Sequence, residues 1–255
     1  MRGSNVVLFF LMLVLMTGLL VGCKDGIPES ELDQFIAGMS ELDSAVLSDS
    51  LHSIANSGSS TASFATYMIG NNYYKAAADS ARLGGWGSEG ANALLDSSEV
   101  YFGAAVEMDS TFVEALVNLG SLWDDRSEQL SSREDRDSKV AKAETYYQKA
   151  LLVAPLDEKA RCNLGSLYLR QRRTMDAKEQ FQAVLDNNPR SSLAHYNMAI
   201  MFAEAKIYRE AIAEWELAVK YDPDGDIGDR SRDNIGIVKE LMDTPIPNDA
   251  KTKKK

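Results

Sequence analysis

One pattern of small and bulky residues occurs twice in the sequence, and its second copy follows the first directly. Asn197 lies 34 residues after Asn163, and every other member of the pattern is displaced by the same amount. The first copy contains Asn163, Leu164, Gly165, Tyr168, Ala177, Phe181, Val184 and Pro189, and the second contains Asn197, Met198, Ala199, Phe202, Ala211, Trp215, Ala218 and Pro223. This period is typical of a unit made of two helices, so the chain is predicted to stack helical hairpins.

The residue types in the pattern explain why the hairpins would stack. Gly165 is small, so a second helix can pack closely on the first helix at that point. Phe181 is a large side chain four residues after a small one, and it fills the space beside such a contact. Pro189 has no amide hydrogen and ends the second helix. Each hairpin leaves an apolar face uncovered until a neighbour packs on it, so stability is expected to come from the array.

These residues and their offsets resemble those of the tetratricopeptide repeat (TPR) family across both copies. The resemblance implies an all-α fold, a right-handed TPR solenoid of helical hairpins. We expect an extra helix at its N-terminal end and a capping helix at its C-terminal end.

Two earlier units carry the pattern with enlarged loops between their helices. Residues 63–112 form a degenerate unit, in which the glycine-rich stretch 84–90 is predicted to be a loop. In residues 113–157, Asn118 precedes Asn163 by 45 residues, which is one period of 34 plus an insertion of 11. The insertion lies in a charged stretch outside the packing residues, so it is expected only to lengthen the two helices and their turn.

Helices are also predicted before and after the repeats. Apolar residues at helical spacing from Ser30 onward predict a leading helix. Residues 47–62 are rich in serine and contain Gly58, so they are expected to form a frayed helix end and a loop. The last helix is predicted over about 229–242. Its expected apolar face consists of Ile235, Val238, Leu241 and Met242.

The N-terminal segment resembles a bacterial lipoprotein signal. An apolar run from Val6 to Leu20 follows Arg2 and leads to the sequence Leu-Val-Gly-Cys, which ends at Cys23. The resemblance implies that Cys23 is lipidated and that the protein is anchored in the cell envelope. An uncleaved transmembrane helix is the alternative, but the run is near the lower length limit for one. Lys24 resembles outer-membrane sorting, which would place the protein on the periplasmic face in a Gram-negative cell.

Charge and residue types exclude several classes of function. The formal net charge is −11, and no basic stripe accompanies aromatic residues, so no nucleic-acid partner is expected. The basic run at residues 251–255 is interpreted as a solvated tail, with a contact to an anionic polymer or lipid as the alternative. His52 and His195 lie in different predicted helices, and His52 has no cluster of Cys, Asp or Glu at metal-ligand spacing. We therefore predict no catalytic residues, no metal, no cofactor and no enzyme activity.

The resemblance to the TPR family also implies a concave groove, lined by the first helix of each hairpin, that binds peptides. Asn118, Asn163 and Asn197 recur at the equivalent place in three first helices. Their amides could hold an extended backbone by donating and accepting together, or asparagine is merely tolerated there, and the sequence leaves both explanations open. The other predicted groove residues are Lys159, Cys162, Ser166 and Arg170 in one unit and Leu193, Tyr196 and Ile200 in the next.

We expect a membrane-anchored adaptor that binds a peptide or protein partner in an envelope assembly or export complex. The alternatives are a regulator that docks a cell-wall enzyme and a transport accessory lipoprotein that binds a small organic solute. The predicted segments are a signal peptide (1–22), a spacer and leading helix (23–62), a degenerate TPR unit (63–112), a TPR unit with a lengthened inter-helix loop (113–157), two TPR units (158–191 and 192–225), a capping helix (226–244) and a disordered tail (245–255).

Overall fold

The computed structural model describes residues 44–128, 130 and 132–243. The predicted signal peptide, Cys23, the first part of the leading helix and the predicted tail lie outside these residues. Within them, every regular element is an α-helix. The helices are α1 (Ser44–Ala55), α2 (Ala62–Gly84), α3 (Glu89–Met108), α4 (Val113–Glu128), α5 (Arg133–Val153), α6 (Glu158–Arg170), α7 (Thr174–Asn187), α8 (Ser192–Glu204), α9 (Tyr208–Tyr221) and α10 (Asp226–Asp243).

The helices belong to two compact units, which divide the chain after Val153. In unit 1, α2 packs on α3 and α4 packs on α5, while α1 packs on α2. In unit 2, α6 packs on α7 and α8 packs on α9, and α10 contacts both α8 and α9. No helix in the described part of the chain combines the length and the apolar character that crossing a bilayer requires.

A small residue opposite a large ring brings the two helices of each hairpin together. A Cβ atom added to Gly165 would lie 2.4 Å from Cε1 of Phe181, and one added to Gly120 would lie 2.5 Å from Cε1 of Tyr147. Phe181 and Tyr147 are buried. Only a glycine therefore allows these rings to lie against the backbone of the first helix. The alternation of small and bulky residues in the sequence corresponds to this contact.

The hairpin of α4 and α5 absorbs the predicted insertion without losing its packing. The two helices contain 16 and 21 residues, against 13 and 14 in α6 and α7. The connecting segment contains four residues instead of three. These differences, of three, seven and one residue, account for the 11 inserted residues. The inserted residues lengthen the helices and their turn as expected. The enlarged inter-helix loop expected for this unit is wrong, because ten of the 11 residues are helical.

The turns inside the two hairpins of unit 2 repeat in their backbone geometry. Arg172 has a φ of 64° and Lys206 a φ of 61°, and these residues are separated by one repeat period. The following amide donates to a carbonyl five residues earlier in both turns, from Arg173 to Tyr168 at 2.8 Å and from Ile207 to Phe202 at 2.9 Å. A positive φ is unfavourable for a residue with a Cβ atom, so a stable surrounding structure must impose it.

Two expectations about the N-terminal part of unit 1 are partly wrong. Residues 56–61 form the expected loop, but residues 47–55 are helical rather than frayed. Leu51 and Ile54 are buried against α2, and this packing outweighs the poor helix propensity of the serines. The loop expected over residues 84–90 is shorter, because Ser88 caps α3. Its hydroxyl accepts a hydrogen bond from the amide of Ala91 at 3.3 Å, and α3 begins directly after it.

The apolar face predicted for the last helix is also partly wrong. Leu241 and Met242 are 56% and 45% exposed, whereas Val238 is buried. The helix begins earlier than expected, because the carboxylate of Asp222 accepts hydrogen bonds from the first-turn amides of α10. Its buried residues are Gly228, Ser231 and Val238, with Ile235 partly buried beside them.

Candidate partner-binding face

The predicted groove residues of unit 2 form one continuous surface, which we call the first-helix face. On α6, Lys159 and Arg170 are exposed near the two ends of the helix. Asn163 and Ser166, which lie between them on the same side, are half-buried. Their spacing of four, three and four residues places them in one stripe along the helix. The face consists of Lys159, Asn163, Ser166 and Arg170 on α6 and of Leu193, Asn197 and Ile200 on α8.

Asn197 joins the two helices of this face. The Ser166 hydroxyl donates a hydrogen bond to its side-chain oxygen at 3.4 Å. The side chain of Asn197 is also hydrogen-bonded to the Cys162 sulfur. The amide of Asn197 therefore lies between α6 and α8, where it holds two consecutive first helices together.

An equivalent contact exists in unit 1. The side-chain amide nitrogen of Asn118 donates to the Tyr67 hydroxyl at 3.3 Å. Tyr67 precedes Gly70 by three residues, as Cys162 precedes Gly165. Asn118 and Asn197 thus contact the same repeat position of the preceding first helix. This packing role is a third explanation for the recurring asparagine, and it does not use the full hydrogen-bonding capacity of these two amides.

Cys162 does not line the accessible surface, so its assignment to the groove is wrong. The side chain is fully buried beneath α8, with 0% of its area exposed. Burial raises the pKa of the thiol to about 12, the charge of Glu158 adds to the effect, and the hydrogen bond from Asn197 opposes it. Because the thiolate is the reactive form, Cys162 is expected to be inert.

Tyr196 is also wrongly assigned, because α10 covers it. Its side chain is 9% exposed, and its hydroxyl accepts a hydrogen bond from the side-chain amide of Asn234 at 3.4 Å. The guanidinium carbon of Arg230 lies 4.7 Å from the centre of the Tyr196 ring. The sequence interpretation did not assign Arg230 and Asn234 to the site, although their separation of four residues could have indicated a shared face.

The residue next to Tyr196, His195, makes hydrogen bonds inside unit 2 with both ring nitrogens. Its Nδ1 atom lies 2.6 Å from a carboxylate oxygen of Glu214, and its Nε2 atom lies 3.2 Å from the carbonyl oxygen of Pro189. Both ring nitrogens therefore face acceptors, an arrangement that only the protonated imidazole satisfies. Burial by itself lowers the pKa of His195, but the hydrogen bonds to Glu214 and Pro189 and the charge of Glu214 outweigh it, so the pKa is raised.

This raised pKa predicts that unit 2 loses stability as the pH rises. The stabilisation by His195 is fully present below the pKa of the unfolded state, about 6.5, and disappears as the pH passes through the higher pKa of the folded state. We expect the free energy of unfolding to fall by about 1 kcal/mol between pH 5.5 and 8.5 through this group. Urea denaturation of the wild type and of His195→Gln across that range measures the effect. His52→Gln is the control, and an identical pH dependence in wild type and His195→Gln would contradict the prediction.

The side chains of His195 and Cys162 in unit 2 are engaged in structural contacts. Across residues 44–128, 130 and 132–243, no three His, Cys, Asp or Glu side chains are grouped so as to hold a metal ion. The nitrogens of His195 are occupied by structural hydrogen bonds, and the sulfur of Cys162 is buried. The first-helix face presents cations, amides and aliphatic side chains to a solute or partner.

Stacked helical hairpins are the architecture of a helical-repeat protein. Residues 162–226 match the sequence profile of the tetratricopeptide repeat family. A comparison with curated proteins found no match. The prediction of an all-α TPR fold is confirmed by the helices, by this match and by the first solved structure described below.

Several solved structures are similar to the chain. TTC0263, a thermophilic TPR protein of Thermus thermophilus, is 14% identical with a TM-score of 0.54, and the match covers 68% of this chain and all (100%) of that one. MamA is 19% identical with a TM-score of 0.44 over 59% of this chain and 80% of its own. YrrB, described as a TPR protein with an unusual peptide-binding site, is 17% identical with a TM-score of 0.33 over 63% and 90%. The likeness to the Thermus protein is one of fold.

Proposed function

We propose that this protein is a membrane-anchored TPR adaptor, whose first-helix face binds a peptide or protein partner in an envelope assembly or export complex. The observation that supports this proposal is the composition of the face. Exposed Lys159 and Arg170 stand beside half-buried Asn163 and Ile200, so charges, amides and an aliphatic side chain are offered together. Surfaces of this mixed kind are suited to binding a peptide, because they recognise its backbone and its side chains at once.

The hydrogen-bonding capacity of the face favours an extended segment of chain as the ligand. An asparagine amide supplies two donors and an acceptor with two lone pairs. Asn197 uses its oxygen for Ser166 and is bonded to Cys162, and these two bonds do not exhaust the capacity of its amide. An extended backbone presents one donor and one acceptor per residue, and it can use such amides without a fixed sequence. Side chains of the partner would then determine specificity.

Reversing the charges of the first-helix face is expected to weaken partner binding strongly. In Lys159→Glu/Arg170→Glu, two exposed cations become anions without loss of buried packing, so folding is retained while recognition is lost. We expect at least about a tenfold reduction in the amount of partner recovered by photo-crosslinking from a crosslinker at position 163 in intact cells. The matched control is Lys178→Glu/Arg190→Glu, which reverses one lysine and one arginine that are exposed elsewhere in unit 2.

Equal recovery from the reversed variant and the control would contradict binding at this face. Recovery of a cell-wall enzyme as the crosslinked partner would support the regulator instead of the adaptor. A crosslink that forms in the wild type and is lost in Lys159→Glu/Arg170→Glu would support the adaptor only if the crosslinked partner belongs to an assembly or export complex.

The anchor is proposed from the sequence, on the resemblance of residues 1–23 to a lipoprotein signal. A lipid-modified cysteine with more than one acyl chain holds a protein stably on a membrane. Metabolic labelling with palmitate is therefore expected to mark the wild type, and the Cys23→Ser variant is expected to remain unlabelled and to leave the membrane fraction. Cys162→Ser is the matched control, because Cys162 is the other cysteine of the chain. Palmitate labelling that persists in Cys23→Ser would contradict the proposal.

A further inference from the structure

The turn between α7 and α8 in unit 2 is held by hydrogen bonds to α6 and α8. Ser191 caps α8, and its hydroxyl also donates to the carboxylate of Glu158 on α6 at 2.6 Å. The side-chain amide of Asn188 donates to the same carboxylate at 3.2 Å. From α8, Nε2 of His195 lies 3.2 Å from the carbonyl oxygen of Pro189. The turn therefore depends in part on a side chain that gains and loses a proton near neutral pH.

The proton of His195 decides whether this side chain holds the turn. Its Nδ1 atom lies 2.6 Å from a carboxylate oxygen of Glu214 on α9, so both ring nitrogens face acceptors. A neutral imidazole has a single N–H group and cannot donate in both directions. It keeps the bond to the carboxylate, because hydrogen bonds to charged groups are the stronger ones. Loss of the proton thus leaves the Nε2 lone pair facing the Pro189 oxygen, and the bond to the turn breaks.

The titratable groups around His195 come from α9, the turn and α6. They are Glu214, Lys220 and Tyr221 on α9, Arg190 in the turn and Glu158 on α6. The Tyr221 ring is 5.6 Å from the His195 ring, and the Lys220 ammonium lies 5.4 Å from the centre of that tyrosine ring. Burial lowers the pKa of His195, but its bonds to Glu214 and Pro189 and the charge of Glu214 raise it by more. The carboxylate in direct contact therefore controls the proton.

We propose that the hydrogen bond from His195 to Pro189 is a pH-dependent latch on the turn between α7 and α8. At low pH the protonated ring bridges Glu214 and the Pro189 carbonyl, and the turn is closed. As the pH rises, the ring loses one proton, keeps its bond to Glu214 and releases the turn. The turn leads into the start of α8, which carries Leu193. The latch is a property of unit 2 itself and does not depend on the proposed function.

Trypsin cleavage after Arg190 measures the release of the turn without a known partner. Arg190 is exposed, but the following Ser191 is 2% exposed, so cleavage requires the turn to open. The bond between Arg230 and Ser231 in α10 is the reference, because it joins the same residue types and its serine is also buried. The ratio of the two cleavage rates in the full chain in detergent cancels the pH dependence of trypsin. Between pH 5.5 and 8.5 this ratio is expected to rise about fivefold, as one hydrogen bond is lost.

Two substitutions test whether His195 causes this rise. His195→Gln is uncharged at every pH, so its cleavage ratio is expected to stay constant. Glu214→Gln removes the charge that favours the proton, so the rise is expected at a lower pH than in the wild type. Glu216→Gln, which changes an exposed carboxylate of the same helix, is the matched control and should behave as the wild type does.

Nuclear magnetic resonance of the ring nitrogens connects the cleavage to the proton. The chain contains two histidines, so His52→Gln assigns the signals of His195. Its titration midpoint is expected to coincide with the midpoint of the rise in the cleavage ratio, in the wild type and in Glu214→Gln alike. Above that midpoint Nδ1 should carry the remaining proton.

Several results would overturn the latch. One is an equal pH dependence of the cleavage ratio in the wild type and His195→Gln, and another is an unchanged midpoint in Glu214→Gln. Titration of His195 at a constant ratio would also overturn it, because unit 2 then opens as a whole or not at all. Each of these results leaves the partner-binding proposal standing, since Lys159→Glu/Arg170→Glu tests that proposal at constant pH.

Discussion

Replacing Phe181 by alanine is expected to lower the free energy of unfolding by about 3–5 kcal/mol, as substitutions of buried phenylalanines do. The ring is fully buried and lies against the backbone of α6 at Gly165. Its removal leaves a cavity that the helices cannot close, because the side chains around it also hold neighbouring hairpins in place. Urea denaturation followed by far-ultraviolet circular dichroism measures the loss.

A substitution on the same helix is the control for Phe181→Ala. Met175 is 75% exposed on α7, so Met175→Ala is expected to change the free energy of unfolding by less than about 0.5 kcal/mol. Equal stability of Phe181→Ala and Met175→Ala would mean that the ring does not hold the hairpin together. The contact of small and large residues in each repeat would then not be the source of stability.

Adding one methyl group to α10 is expected to have opposite effects at two glycines. A Cβ atom at Gly228 would lie 1.9 Å from the backbone oxygen of Asp222, which cannot move without disrupting the start of the helix. Gly228→Ala should therefore lower the free energy of unfolding by about 1–3 kcal/mol and loosen α10 from unit 2. A Cβ atom at Gly236 would meet no atom within 4 Å, so Gly236→Ala should stabilise the helix by about 0.5–1 kcal/mol.

Limited proteolysis with trypsin distinguishes loosening of α10 from a general loss of stability. Arg230 and Arg232 are exposed within the helix, and cleavage there requires the helix to open. Gly228→Ala is expected to be cut at these residues several times faster than the wild type, and Gly236→Ala more slowly. The same direction of change in both variants would show that the close approach to Asp222 does not constrain the helix.

The packing inside each hairpin could be predicted from the sequence because both partners lie within one repeat. Gly165 and Phe181 are separated by a fixed number of residues in a two-helix unit, so their types and spacing specify the contact. The position of the insertion between α4 and α5 was equally predictable. Its conformation was not, since the enlarged loop expected there is almost entirely helix. Local pattern and tertiary contact agree at these positions.

Burial at the ends of the repeats could not be predicted in the same way. Whether Leu51 is buried depends on the surface of α2 that it meets, and whether Leu241 is exposed depends on how far α10 extends past its partners. Periodicity identifies an apolar residue but not the element that covers it. The same limit applies to the site, because Cys162 and Tyr196 have the spacing of groove residues and yet are covered by neighbouring helices.

One side of α10 carries the exposed charges of Arg232, Lys239 and Glu240, which affect how molecules could stack end to end. Repeat proteins can join end to end when a terminal helix offers an apolar face to the next molecule, and open fibres then grow. Here another hairpin would have to strip water from Arg232, Lys239 and Glu240, a desolvation cost that apolar packing does not compensate. End-to-end stacking on this side of α10 is therefore disfavoured.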